Sequence, residues 1–173
     1  MTQTAVIVDV DGTLCDVSTA LHHITTPDVT KDFDAFHRAA AQCPPTDWVL
    51  EWCEEQRAAG HVLVVVTGRM YRHIVDTSAW LVRHLPGPFI GPLMRGDDDV
   101  RPDTEVKREI YDLLTDPDYY DLDIVAAIDD RPSVIRLWRS LGIPTTVAWR
   151  DDWITAGEQY DDEDARRRAD GMR

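Results

Sequence analysis

The sequence predicts a doubly wound α/β domain, in which helices cover both faces of a parallel sheet. Short apolar segments alternate along the chain with longer amphipathic segments, the pattern of strands joined by crossover helices. A chain of 173 residues is long enough for one apolar core but short for two. No apolar stretch approaches the length of a membrane span, so we expect no role in a membrane.

Five apolar segments are predicted strands, because each is short and several are rich in β-branched residues. They are residues 5–10, 61–67, 88–94, 124–128 and 145–149. No basic region precedes the first strand and no small-residue cleavage site follows it. We therefore expect a cytoplasmic protein.

Amphipathic segments at residues 47–59, 104–114 and 132–141 are predicted helices. Gly60 and Gly142 follow the first and the third of them, as is usual at helix ends. Residues 28–41 are expected to form a small helical insertion. The patterns also place four tryptophans in the core by default, namely Trp48, Trp52, Trp80 and Trp138.

Charge and cysteine content limit the possible functions. A net charge of −14 argues against a broad basic surface for nucleic acid, although it leaves room for a local basic pocket. The three cysteines include no Cys-x-x-Cys pair, which favours reduced packing residues over disulfides or a zinc site. The chain turns acidic from Gly157, which predicts a domain of residues 1–155 and a C-terminal helix or tail of residues 156–173.

Two carboxylates, Asp9 and Asp11, follow the first predicted strand, and Gly12 and Thr13 then supply a turn. The carboxyl ends of strands form the ligand-binding edge of an open α/β sheet, so both carboxylates are expected in a crevice. An Asp-x-Asp pair alone is more often a turn or helix cap than a catalytic pair. Whether this pair is catalytic depends on the other residues at the same edge of the sheet.

Other strand ends bring further polar residues to this edge, namely Thr67, Gly68, Arg69, Asp129, Asp130 and Arg131. Lys107 is expected in the first turn of a helix, where the helix dipole disfavours a cation unless an anion is near. Taken singly, Lys107 could be a solvated partner of Asp103, and the arginines could be surface ion-pair residues.

Together these residue types suit phosphoryl transfer through a carboxylate. Mg²⁺ prefers oxygen ligands, which Asp9, the Asp11 carbonyl and Asp129 or Asp130 would supply. Asp9 is the candidate nucleophile, and Asp11 is the candidate acid for the leaving oxygen and base for water. The phosphoryl oxygens would be stabilised by backbone N–H groups, Thr67 and Lys107.

The run Asp9-Val10-Asp11-Gly12-Thr13-Leu14, followed in order by Thr67, Lys107 and Asp129-Asp130, resembles the four-motif signature of the haloacid dehalogenase (HAD) superfamily of phosphatases. This resemblance implies a three-layer Rossmann-like fold with a central parallel sheet and only a small cap insertion. It also implies a nucleophile at Asp9 and a general acid/base at Asp11.

A narrower resemblance is to the 3′-phosphatase domain of bacteriophage polynucleotide kinase/phosphatase. It is carried by Thr67-Gly68-Arg69 and by residues 95–107 and 127–143. It implies that four residues near the phosphatase site hold the phosphate or orient the metal and Lys107. These residues are Arg69, Arg95, Asp103 and Arg131.

The leading hypothesis is magnesium-dependent removal of 3′-phosphates from RNA or DNA ends in nucleic-acid repair. No Gly-x-x-x-x-Gly-Lys-[Ser/Thr] loop occurs, so phosphorylation of 5′ ends by that route is not expected. Alternatives are a phosphatase of free nucleotides or other small phosphate esters, and a non-catalytic phosphate-binding module. A separate kinase or ligase would suit a lone end-trimming phosphatase, and the oligomeric state is left open.

Overall fold

A computed structural model describes residues 2–28 and 30–159, and a five-stranded parallel sheet lies at its centre. The strands are β1 (Gln3–Val8), β2 (Val62–Met70), β3 (Ile90–Arg95), β4 (Leu122–Asp129) and β5 (Thr145–Val147). Their order across the sheet is β3-β2-β1-β4-β5. The α/β class is confirmed, whereas most of the predicted C-terminal tail lies outside the described residues.

Helices account for most of the remaining chain. They are α1 (His22–Thr25), α2 (Phe33–Ala40), α3 (Asp47–Ala58), α4 (Ile74–His84), α5 (Asp103–Thr115), α6 (Pro132–Ser140) and α7 (Asp151–Thr155). Helices α3, α5 and α6 confirm the three predicted ones, with ends that differ by one residue at most. Within residues 28–41 the structure has one helix, α2, and the short helix α1 precedes this range. Residues 21–41, which include both helices, are called the insertion below.

Side chains of the central strand alternate between two apolar cores. Val6 and Val8 face a core closed by α2, α3 and α4, whereas Ala5 and Ile7 face a core closed by α5 and α6. Both faces of the sheet are therefore covered, which explains why the strands are continuous apolar runs rather than alternating ones. The result is the three-layer arrangement that the resemblance implied.

The four tryptophans that the sequence places in the core, together with the three cysteines, fit these cores with one exception. Trp80 and Trp138 are buried, one in each core, and the three cysteines are buried and free. The prediction for Trp48 is wrong, because its side chain is 40% exposed in the first turn of α3. No helix in the described part of the chain is both long and apolar enough to cross a membrane.

Strand ends differ from the prediction where the polar residues begin. β2 continues through Gly68 and Arg69, which were expected beyond it, because Thr67 and Met70 still pair with β3. Asp129 is likewise the last residue of β4. β1 ends at Val8, so Asp9 is the first residue beyond the strand.

The two-core packing predicts a large effect for a truncation on α5. Leu114 is fully buried in the core beneath α5 and α6, so Leu114→Ala should lower the free energy of unfolding by about 2–5 kcal/mol. Urea denaturation measures this change. Val82→Ala is the control, since Val82 is 74% exposed on α4 and should change stability by about 0.5 kcal/mol or less. Equal losses in both variants would contradict the assigned packing.

Candidate active site at the carboxyl edge of the sheet

The polar residues converge where the strand order reverses. The chain places β2 and β3 on one side of β1, and β4 and β5 on the other. The crossovers therefore leave the carboxyl end of β1 in opposite directions and open a crevice there, as is general in doubly wound sheets. Three residues from the central strands line this crevice: Asp9 directly after β1, Thr67 in β2 and Asp129 at the end of β4.

Lys107 connects the two central strands. Its Nζ donates hydrogen bonds of 2.7 Å to Asp9 Oδ1 and 2.7 Å to Asp129 Oδ2. It lies in the second turn of α5 rather than the first, and only 3% of its side chain is exposed. The solvated pairing with Asp103 is therefore wrong. Burial alone would lower the pKa of Lys107, but attraction to the two carboxylates outweighs it and raises the pKa.

Three buried carboxylates form a cluster beside this lysine. Asp9, Asp129 and Asp130 each offer an oxygen within 4.8 Å of the others. Burial raises the pKa of Asp9 to about 7 against the attraction of Lys107, and repulsion from Asp129 adds to the rise. Burial also raises the pKa of Asp130 well above its usual range. The cluster thus gathers three carboxylates beside one lysine, a set of oxygen donors that fits a hard divalent cation such as Mg²⁺.

Two residues that the sequence interpretation missed hold Asp130. Arg150 Nη1 and Trp153 Nε1 donate to Asp130 Oδ2 over 2.8 and 2.7 Å. Both follow β5, and Trp153 lies on α7, so the chain returns across the site after its last strand. Gly12 leaves the space for this return, because a Cβ there would lie 1.9 Å from Arg150 Nη1. The only sequence signal was their place after a predicted strand.

Asp11 is turned toward a different partner. Arg69 Nε and Nη2 donate to the two oxygens of Asp11 over 2.9 and 2.6 Å. Burial would raise the pKa of Asp11, but the Arg69 guanidinium lowers it below its usual value. Arg69 is itself buried and also donates to Thr77 Oγ1. The Asp11 carboxylate is therefore not part of the acidic cluster, and its carbonyl remains a predicted ligand only.

Asp103 connects two arginines at the rim of the crevice. Its carboxylate accepts hydrogen bonds from both Arg95 and Arg131. Burial would raise the pKa of Asp103, but Lys107 and the two arginines together lower it. Gly68 makes the close packing possible, because a Cβ at this position would lie 2.7 Å from Asp103 Oδ1. The Gly68 carbonyl also accepts a hydrogen bond from Arg95 Nε.

These residues surround a cavity of about 880 Å³. Every predicted site residue lines it except Arg69, which lies behind Asp11. Eight aspartates and six lysines or arginines contribute to the lining, so the lining as a whole is not basic in composition. Apolar side chains from the insertion form a further part of the wall, namely Leu21, Ile24, Phe33 and Phe36.

The arrangement has relatives among known proteins. The model of the polynucleotide kinase PNKP phosphatase domain family matches residues 3–153. An inferred bifunctional polynucleotide kinase/RNA ligase of Autographa californica nuclear polyhedrosis virus is 27% identical over 152 residues, which are 87% of this chain and 20% of the relative. The chain thus spans about a fifth of the length of this relative.

Solved structures show the same fold. A chain of the Pnkp1/Rnl/Hen1 RNA repair complex has a TM-score of 0.64 at 23% identity, over 84% of this chain and 42% of that chain. The class C acid phosphatase of Bacillus anthracis, solved with tungstate bound, has a TM-score of 0.59 at 16% identity, over 100% of this chain and 81% of its own. Because the family model covers all five strands and the whole cluster, the chain belongs to the PNKP phosphatase domain family of the HAD superfamily, and this domain is a phosphoric monoester hydrolase.

Proposed function

We propose that the protein removes 3′-phosphates from polynucleotide ends with the help of a divalent cation, preferably Mg²⁺. The observation that carries the proposal is the convergence of Asp9, Lys107, Asp129 and Asp130 in one buried cluster at the sheet edge. The substrate class is supported by the match to the PNKP phosphatase domain family along most of the chain. The relatives named for RNA ligation and RNA repair point the same way.

The chemistry follows from the positions of the side chains. Asp9 would attack phosphorus while the bond to the leaving 3′ oxygen breaks, which leaves an aspartyl-phosphate. Lys107 would offset the negative charge between Asp9 and the phosphoryl oxygens. A divalent cation held by Asp9, Asp129 and Asp130 would supply further charge compensation at the phosphate.

Asp11 would act as the general acid in the first step and as the general base in the second. Its ion pair with Arg69 lowers its pKa, which favours the carboxylate that must later deprotonate water. In the first step it must instead carry a proton for the leaving oxygen. An arriving phosphate raises the pKa of a neighbouring carboxyl by repulsion, so substrate binding itself promotes this protonation.

A second candidate keeps the chemistry and changes the substrate to a free nucleotide or another small phosphate ester. The excess of aspartates around the cavity and the net charge of −14 favour it, since both oppose a long polyanion. Against it, the insertion contributes only the short helices α1 and α2, which leaves the cavity accessible to the end of a large molecule. A separate kinase or ligase would be a suitable partner for the favoured activity.

The deciding experiment compares phosphate release from 3′-phosphoryl, 5′-phosphoryl and cyclic-phosphate oligonucleotides with release from mononucleotides. We expect Mg²⁺-dependent release from 3′-phosphoryl oligonucleotides, and its loss in Asp9→Asn because the amide cannot attack phosphorus. Asp123→Asn is the matched control, since Asp123 is exposed on β4 away from the cavity. Rapid hydrolysis of mononucleotides with intact oligonucleotides would select the second candidate.

Asp11→Asn should separate the two chemical steps. With p-nitrophenyl phosphate the leaving group needs no proton, so the first step should persist while the hydrolysis of the aspartyl-phosphate slows. We expect a burst of p-nitrophenol of about one equivalent per enzyme, followed by slow turnover. Stopped-flow absorbance measures it. Steady turnover at the parental rate would remove Asp11 from the base role.

Cation binding should weaken as the pH falls. The pKa of Asp9 is raised to about 7, so below this pH its carboxyl is increasingly protonated and loses its ligand oxygen. The rise in melting temperature on adding Mg²⁺ should therefore be larger at about pH 8 than at about pH 5.5. Asp123→Asn should behave like the parent, and an equal rise at both pH values would argue against Asp9 as a ligand.

A further inference from the structure

The insertion contributes an aromatic wall to the cavity. Phe33, Phe36 and His37 of α2 line it, on the same cavity as Asp9 and Asp11. Phe33 is 48% exposed, so part of its ring is available to a ligand, whereas Phe36 is buried behind the wall. The family's catalytic motifs include none of these three residues.

His37 is the polar member of this wall and lacks a hydrogen-bond partner. Its side chain is 94% buried, because only 6% of the residue is exposed. Its Nδ1 has no hydrogen-bond partner within residues 2–28 and 30–159. Its ring packs instead against aromatic rings, with centroid distances of 5.3 Å to Phe36 and 5.1 Å to His73. A buried polar atom without a partner costs stability, which a ligand would recover once rotation of the ring turns this nitrogen toward the cavity that His37 lines.

The protonation state of His37 limits the kind of ligand that its side chain can bind. Burial lowers its pKa to about 4, although the charge of nearby Asp11 acts in the opposite direction. At neutral pH the imidazole is therefore uncharged, with one nitrogen that donates and one that accepts. Such a group suits a hydroxyl, which also both donates and accepts.

We propose that this wall binds the 3′-terminal nucleoside of the substrate, with His37 in a hydrogen bond to the ribose 2′-hydroxyl and Phe33 against the base. The inference rests on the proposed function, in which Asp11 meets the leaving 3′ oxygen. The 2′-hydroxyl is attached to the adjacent carbon, and His37 and Asp11 line the same cavity. Apolar neighbours of His37 suit a sugar and a base, since bases stack on aromatic rings. The protein would then select ends whose last nucleotide is ribose.

The test uses 3′-phosphoryl oligonucleotides that differ only in the last sugar, which is ribose, 2′-deoxyribose or 2′-O-methylribose. The parental kcat/KM should be about threefold to tenfold higher for ribose than for deoxyribose, the usual effect of one hydrogen bond. The 2′-O-methyl end should be no better than deoxyribose. His37→Leu should bring the ratio of the ribose rate to the deoxyribose rate down to about one, mainly by lowering the ribose rate, and His37→Gln should restore part of the ratio.

Two further variants distinguish the loss of 2′-hydroxyl binding from a general loss of activity. Phe33→Ala should lower kcat/KM for ribose and deoxyribose ends alike, because the base contact is common to both. His22→Ala is the matched control within the insertion, since His22 lies outside the cavity and its Nδ1 is hydrogen-bonded to the Thr19 carbonyl. It should leave the ratio of the two rates as in the parent. His37→Leu should melt at or above the parental temperature, because it removes an unpaired polar group.

Several results would overturn the inference. Equal parental rates for ribose and deoxyribose ends would do so, as would a His37→Leu variant that lowers both rates equally or preserves their ratio. If His37→Leu does not fold, the ratio measured in His37→Gln decides. Hydrolysis of p-nitrophenyl phosphate without hydrolysis of any 3′-phosphoryl oligonucleotide would instead refute the proposed function, and the inference with it.

Discussion

The site depends on the ion pairs of Lys107 with Asp9 and Asp129. These residues come from α5, from the loop after β1 and from β4, so they meet only when the whole sheet has formed. Each is buried, and a charge that is buried without its partner is strongly destabilising. The lysine therefore holds the central strands and the covering helix in one arrangement, and the same arrangement positions the acidic cluster.

Charge compensation at this edge explains how an acidic protein can handle a phosphate. Arg69 pairs with Asp11, Arg95 and Arg131 share Asp103, and Arg131 also lies 3.6 Å from Glu158, so each of these arginines already has an acidic partner. The cavity as a whole is not basic. Under the proposed function, attraction of an anionic substrate would come from a cation held by the acidic cluster and from local hydrogen bonds, so the total charge of the chain is a poor guide to its substrate.

Much of the fold and the centre of the site could be predicted from the sequence. Continuous apolar runs indicate buried parallel strands, and the residues at the ends of these strands indicate where the crevice lies. Trp80 was placed in a helical pattern, but the bounds of helix α4 were not predicted, since the exposed face of this helix carries Val75 and Val82, which obscures the amphipathic period. Arg150 and His37 were missed for another reason. Nothing in their local sequence indicates which side chains lie opposite them, and only tertiary packing brings Arg150 to Asp130 and His37 to the wall of the cavity.

The return of the chain across Asp130 has a practical meaning for protein engineering. The sheet is complete at Val147, yet the indole N–H of Trp153 reaches back to Asp130. A shortened version cut directly after the fifth strand would retain every strand of the sheet and still lose this support. The smallest unit worth producing, or worth transplanting into a fusion, therefore ends beyond α7 rather than at the edge of the sheet.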